Sequence, residues 1–324
     1  MLVIHPGALG DVLLARPVLR MLRHQFPQHE IAILSGKAVG ALLRDGAEIE
    51  RVFPLESTHL GDLFAGLDGL CVPFRTWLGD CDIAVGWLRD TEGTVATTLR
   101  DAGVQSTNLK SAWSSDLRAE HQSGRYLEAI QMNGEGQVVD YPLVLSTAIR
   151  EQGRQILQAL NWNNRQPLVV IHAGSGSARK CAEAWRLARV VEQLFKVGMA
   201  PMLLEGPADH ELVAQVLSAL ATPVPVIRGL NLSMAAAVMA QAALYLGHDS
   251  GVTHVAAALA VPTIACFGPT NPRRWAPLGS VVSIVSGAPC ICPTWSDVEG
   301  CQERVCLQIA PERITEACRA RLGT

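Results

Sequence analysis

The sequence predicts an α/β protein made of two doubly wound, Rossmann-like domains with parallel sheets. Three observations carry that expectation. Short apolar runs of strand character alternate with stretches of helical spacing, the mark of successive βαβ units. The pattern restarts near residue 168, and each half has one glycine-containing loop directly after its first strand. At 324 residues the chain is long enough for two separate cores.

The first half opens on an apolar strand at 2–5, then Pro6-Gly7-Ala8-Leu9-Gly10-Asp11, then a helical stretch to about residue 25. Leu13, Leu14, Pro17, Val18, Met21 and Leu22 form its apolar face, and Arg16, Arg20 and Arg23 line another. Pro17 should kink or restart this helix, since proline lacks the N–H that a helix interior needs. A strand at 31–34, a helix from about 38, strands at 52–55 and 83–86, a helix at 95–101 and a strand near 104 continue the alternation. A helix over 120–132 ends this half. The polar, glycine-containing stretch 133–140 then places the boundary between there and residue 166.

The second half begins with a strand at 168–171 and a Gly/Ser loop at 172–180. A helix at 183–195, a strand at 201–204, a helix at 209–220, a strand at 225–227 and a helix at 233–242 follow. A strand at 243–247, the break at His248-Asp249-Ser250-Gly251, an Ala-rich helix at 252–259 and a strand at 263–267 come next. A polar Gly-Pro-Thr-Asn-Pro-Arg-Arg loop closes this stretch, and the last helix covers 311–321. The expected division is 1–150, 151–310 and a C-terminal segment 311–324.

Composition narrows the function. The chain is 49% hydrophobic and 18% charged, with a net charge of −3. That is ordinary for a soluble globular protein and lacks the basic excess of a nucleic-acid binder. The start, MLVIHPGALGD, has neither a basic n-region nor a cleavage site, so it reads as a strand and not as a signal peptide. No uncharged apolar run approaches the length that spans a bilayer. Nine cysteines without a signal argue for reduced thiols in the cytoplasm.

Several loops carry candidate chemistry. Asp249 and Ser250 are good helix N-caps, and Gly251 lets a ligand approach the backbone closely. A helix N-terminus at the carboxyl end of a strand favours phosphate through its free N–H groups and the positive end of its dipole. His254, three residues after Gly251, lies in the first turn where its ring can face the same ligand. An ordinary capped helix accounts for the DSG triplet equally well. Gly7 and Gly10 do not make a dinucleotide fingerprint, because Leu9 sits where the second glycine belongs. Asp11 is either a first-turn acid that caps its helix or a general base. In 172–180, HAGSGSARK, Gly174, Ser175 and Ser177 offer amides and hydroxyls beside Arg179 and Lys180, without the GK[ST] of a P-loop. Asp209 follows a strand where it can cap a helix or bind ribose hydroxyls. The spacing of Cys290, Cys292, Cys301 and Cys306 matches no well-defined zinc motif, so free thiols are expected there, with a metal site as the alternative.

DSGVTHVAAALAVPTIACFGPTNPRRW at 249–275 and PGALGDVLLARPVLRML at 6–22 resemble the bacterial heptosyltransferase family, glycosyltransferase family 9. The resemblance covers nearly the whole chain and is weakest from about 55 to 115. It implies a GT-B fold, with two Rossmann-like domains facing a central cleft and the last helix packing back toward the first domain. It also implies an inverting, metal-independent glycosyltransferase that takes heptose, or a related sugar, from an ADP-sugar to a lipopolysaccharide-core or similar glycan. No cofactor is implied beyond that nucleotide-sugar donor, which would be ADP-heptose. By the same resemblance Asp11 is the catalytic base and Lys180 the cation that meets the departing diphosphate. Gly10, Gly174, Ser175, Lys180, Asp209, Asp249, Ser250, Gly251 and His254 are the donor contacts. The sequence departs from the family after Lys180, where Cys181-Ala182-Glu183 replaces the usual Trp-Pro. Alternatives are a GT-B-like nucleotide-sugar epimerase and a non-catalytic nucleotide-sugar-binding protein. The implied setting is cytoplasmic, with peripheral contact at the inner-membrane surface through the arginine face as an alternative to a solvated helix side.

Overall fold

The computed structural model describes residues 1–57, 59–113, 120–130 and 141–323. The chain divides into two compact units, Met1–Asp140 and Tyr141–Thr324. The linker expected at 133–140 lies outside the described residues.

The first unit runs β1 (Leu2–Ile4), α1 (Leu9–Leu14), α2 (Arg16–Gln25), β2 (Ala32–Ser35), α3 (Lys37–Asp45), β3 (Arg51–Pro54), α4 (His59–Ala65), α5 (Val72–Gly79), β4 (Ile83–Gly86), α6 (Thr94–Asp101), β5 (Ser106–Leu109) and α7 (Gln122–Ile130). Its five strands are parallel in the order β3-β2-β1-β4-β5, the doubly wound order that reverses beside the first strand. The central strands β1 and β2 are wholly buried, as strands covered on both faces must be. Leu2, Ile4, Leu34, Phe74, Ala84 and Leu99 belong to its core. The expected restart at Pro17 is present: Ala15 ends α1 and N-caps α2, and the proline occupies the first turn, where its missing N–H costs nothing.

The second unit runs α8 (Thr147–Ala159), β6 (Leu168–His172), α9 (Ala184–Lys196), β7 (Ala200–Leu204), α10 (His210–Ser218), β8 (Val226–Ile227), α11 (Leu232–Met239), β9 (Leu244–His248), α12 (Gly251–Ala258), β10 (Thr263–Phe267), α13 (Pro272–Trp275), β11 (Val282–Ser286), α14 (Trp295–Gly300) and α15 (Pro311–Leu322). Six parallel strands in the order β11-β10-β9-β6-β7-β8 repeat the doubly wound arrangement with one strand more. β6, β9 and β10 are buried at every residue, and Val169, Ile171, Leu246, Ile264 and Leu203 fill the core they share with α9.

Three features of the packing bear on the sequence reading. The division falls at 140/141, not at 150, because α8 packs on α11. A Cβ on Gly153 would stand 2.3 Å from the Ala237 carbonyl, so a glycine there is what allows the close approach. Within the second unit α15 packs on α9 and on β9 to β11, with Ile314 and Cys318 in that core. The three arginines of the α2 arginine face are paired with two distant acids, which leaves a net charge of one. Glu48, buried, accepts from Arg16 Nε at 3.0 Å and from Arg20 Nη2 at 2.8 Å, while Arg23 pairs with Glu50. A face so paired no longer presents three bare cations to an anionic surface. No helix among the described residues is long and apolar enough to cross a membrane.

Candidate active site

In the second unit the strand order reverses between β6 and β9, so the loops leaving their carboxyl ends diverge and open a crevice there. Ser250 N-caps α12: its backbone is extended, and its Oγ accepts the Thr253 N–H at 3.4 Å. Thr253 Oγ1 in turn donates to the His248 carbonyl at 2.5 Å, which ties the first turn of α12 to the end of β9. Gly251 is the first residue of α12, and His254 lies buried in the same turn.

Asp249, one residue before that cap, gathers three elements. Its Oδ2 accepts from Lys180 Nζ at 2.8 Å and from Thr270 Oγ1 at 2.7 Å, and its carbonyl accepts from Ser175 Oγ at 2.5 Å. Asp249 is therefore a buried carboxylate with a cation and one hydroxyl on it and a second hydroxyl on its backbone carbonyl, and does not serve as a cap. Lys180 ends a single 3₁₀ turn, Ala178–Lys180, opened by Ser177 accepting the Arg179 N–H. Its ammonium also stands 5.9 Å over the Trp295 ring. Arg179 points elsewhere, to the Cys301 carbonyl at 3.2 Å. The loss of Trp-Pro after Lys180 thus leaves the lysine beside the α12 N-terminus. The replacement segment is itself tied in, because the Ala182 N–H donates to His248 Nε2 at 2.9 Å.

Asp209 occupies the N-cap position of α10 without capping it. Its Oδ2 pairs with His172 Nε2 at 2.9 Å and accepts the Gly206 N–H at 2.8 Å. The hydrogen bond from His172 is the main reason its carboxyl is held below the usual carboxylate range, against the opposing effect of burial. Gly174 is required here, since a Cβ would fall 1.8 Å from Asp209 Oδ1. His172 Nδ1 lies 3.5 Å from Ser250 Oγ, so the Asp209 and Asp249 groups meet through it. A cavity of about 640 Å³ opens beside them, with Gly174, Ser175, Asp209, Trp185, Leu212 and Arg304 among its lining.

In the first unit, Gly10 and Asp11 lie in the first turn of α1, beyond the carboxyl end of β1. Asp11 Oδ2 accepts the Ala8 N–H at 3.2 Å, reaching back over the turn as a first-turn acid does. Its Oδ1 accepts from the Tyr126 hydroxyl on α7 at 3.2 Å. His5, at the end of β1, accepts the Gly7 N–H through Nδ1 at 3.2 Å, and burial pushes its pKa down to about 3.

Of the residues singled out in the sequence, Gly174, Ser175, Lys180, Asp209, Asp249, Ser250, Gly251 and His254 fall at or beside the crevice end of the second sheet, and Gly10 and Asp11 fall in the first unit. Sequence reasoning missed His172, Thr270, His248 and Tyr126. The available signal for Thr270 was a hydroxyl in the polar loop after β10, at the same sheet edge as DSG. Tyr126, more than a hundred residues from its partner, gave none. The cysteines at 290, 292, 301 and 306 are free thiols. Burial and the neighbouring thiols of Cys301 and Cys290 push Cys292 up to about 12, whereas the Arg304 N–H pulls Cys301 down. Among the described residues no group of three or more His, Cys, Asp or Glu side chains is arranged to hold a metal ion.

Comparison with known proteins gives this arrangement a family. Lipopolysaccharide heptosyltransferase 2 of Salmonella typhimurium is 23% identical over 360 residues, covering 99% of this chain and 98% of its own. Lipopolysaccharide heptosyltransferase 1 of Pseudomonas aeruginosa is 34% identical over 157 residues, 48% of this chain and 43% of that protein. Among solved structures, a family 9 glycosyltransferase from Veillonella parvula superposes with a TM-score of 0.79 at 19% identity, covering 99% of this chain and 96% of that one. Escherichia coli ADP-heptose lipopolysaccharide heptosyltransferase II gives 0.74 at 21% identity, with 99% and 98% covered. These likenesses assign the GT-B fold class. The model of glycosyltransferase family 9 (heptosyltransferase) matches residues 94–296, more than half of the sequence, and this chain belongs to that family of glycosyltransferases.

Proposed function

We propose that the protein transfers a heptose from ADP-heptose to a lipopolysaccharide-core acceptor, with inversion and without a metal ion. The observation that carries the reading is the grouping of Lys180, Asp249, Thr270 and Ser175 at the N-terminus of α12. As the glycosidic bond breaks, negative charge builds on the departing diphosphate. An ammonium and helix N–H groups fixed beside it lower the barrier by electrostatics alone. Lys180 is held by Asp249, so it is pre-positioned and is shared with the diphosphate of the donor. Asp209, kept ionised by His172, accepts from the ribose hydroxyls. His254 and the 173–180 loop complete the donor contacts.

Asp11 is the base in this reading. A single displacement by the acceptor hydroxyl inverts the anomeric centre and needs one proton acceptor, not a second nucleophilic carboxylate. Membership of a transferase family favours this over the epimerase and the non-catalytic binder. The nine free thiols, five of them buried, suit the reducing cytoplasm.

The test combines purified protein, ADP-heptose and lipopolysaccharide extracted from heptose-deficient cells. ADP release and an acceptor enlarged by one heptose are expected, with an inverted anomeric signal by NMR and no loss in EDTA. ADP should also raise the melting temperature more than UDP, GDP or NAD at equal concentration. Equal shifts for all nucleotides, or a UDP preference, would remove the ADP-sugar assignment. Asp11→Asn should bind ADP normally and transfer roughly 10²–10⁴-fold more slowly.

A further inference from the structure

We propose that Tyr126 is the positioning residue of Asp11, fixing which carboxylate oxygen faces the acceptor proton. The inference rests on the assignment of Asp11 as base. The terminal torsion of an aspartate is broad and roughly two-fold, so its two carboxylate oxygens are not held apart unless both are engaged. Here both are. The Ala8 N–H donates to Oδ2 from the same turn, and the Tyr126 hydroxyl donates to Oδ1 from α7, 115 residues away in sequence.

The phenol is held by a rigid platform. Tyr126 is only 2% exposed, and its ring centroid lies 5.0 Å from that of His5 and 5.1 Å from that of Trp87. His5 and Trp87 pack on each other at 5.0 Å and sit at the carboxyl ends of β1 and β4, the two strands between which the first sheet reverses. Trp87 Nε1 donates to the Tyr126 carbonyl at 3.0 Å, so α7 is pinned by its backbone as well as its ring. His5, buried and neutral, adds no charge that would draw the carboxylate elsewhere. A Cβ on Gly7 would stand 2.7 Å from His5 Cε1 and 2.9 Å from Asp11 Cβ, so the imidazole fills the space under the turn that carries Asp11. Three elements thus converge to aim one hydroxyl at one carboxylate oxygen. At 3.2 Å the bond is somewhat longer than an ordinary O–H···O contact.

The experiment is a double-mutant cycle of Tyr126→Phe and Asp11→Asn, assayed with ADP-heptose and heptose-deficient lipopolysaccharide. Phenylalanine keeps the ring packing and the backbone bond and removes only the hydroxyl. The expected result is a kcat lower by about tenfold, with the KM of both substrates within about twofold. In the double variant the Tyr126 loss should vanish, leaving the rate of Asp11→Asn alone. An unchanged kcat in Tyr126→Phe overturns the inference. So does a raised KM with kcat kept. A loss that multiplies fully into the Asp11→Asn background also overturns it, because damage to the fold would act whether or not the carboxylate is present. If Asp11→Asn itself keeps the wild-type rate, the base assignment fails first, and that result is distinct from the other three.

Discussion

Asp209 and Asp249 show how differently two acids can be used at similar places in one fold. Each follows a buried strand and precedes a helix, where a capping side chain is the ordinary reason to find aspartate. Neither caps. Asp209 turns to His172 and Gly206, and Asp249 turns to Lys180 and Thr270. The energetic consequence is testable at Lys180. With Lys180 on the diphosphate as proposed, Lys180→Ala should weaken ADP binding by about 1.5–3 kcal/mol, read by calorimetry. Thr270→Val, which removes a neutral donor, should cost about 1 kcal/mol at most. If Lys180→Ala binds ADP as well as the wild type, the diphosphate is held elsewhere. Arg179 is a poor substitute, being committed to the Cys301 carbonyl. Lys180, Asp209 and Asp249 were legible in the sequence because each sits in a short polar motif after an apolar strand. His172 was not, because a histidine ending a strand gives no sign that its ring faces an acid 37 residues on.

Among the elements, legibility followed burial and regularity. Strands β4 and β10 match the expected 83–86 and 263–267 at both ends, and β6, β7 and β9 match within a residue. Wholly buried parallel strands are unbroken apolar runs and stand out. α4 and α5 did not stand out, since Gly66, Gly69 and Pro73 chop that stretch into pieces too short for a helical period to register. β11 was missed as well. It is a half-exposed edge strand whose short apolar run is interrupted by Ser283 and ended by Ser286. The 172–180 loop, read in the sequence for its amides and hydroxyls, is also sterically defined. Gly174→Ala would drive a methyl into the Asp209 carboxylate, so the loop or the Asp209–His172 pair must move. The expected outcome is a loss of about 2 kcal/mol or more in stability together with weakened ADP binding. Gly176→Ala, with open space around its Cβ, should change neither. Equal behaviour of the two variants, in melting and calorimetry, would show that the close approach at Gly174 is unimportant.

At the scale of the whole molecule, each unit holds a deeply buried histidine whose pKa is pushed down, and the two contribute in the same direction to its response to acid. Burial pushes His5 in the first unit down to about 3, and His248 in the second down to about 4, from an ordinary 6.5. Both hold an acceptor role that requires a neutral ring: His5 Nδ1 for the Gly7 N–H, and His248 Nε2 for the Ala182 N–H. Below pH 6.5 the unfolded chain takes up protons on these residues while the folded protein does not, so stability falls as pH falls. The loss begins near 6.5 and levels off only near 3 to 4. Between pH 7 and pH 5 each histidine should remove about 2 kcal/mol. Asp209 works in the same direction but only below its unfolded value of 3.8, outside that window. His248→Gln keeps a side-chain acceptor and removes the titration, so it should flatten the acid loss of the second unit while leaving that of the first. His5→Gln should do the reverse. Hydrogen exchange at pH 7 and pH 5 reads the two units separately. If both variants lose stability in both units as steeply as the wild type, buried histidines are not what makes the protein acid-sensitive.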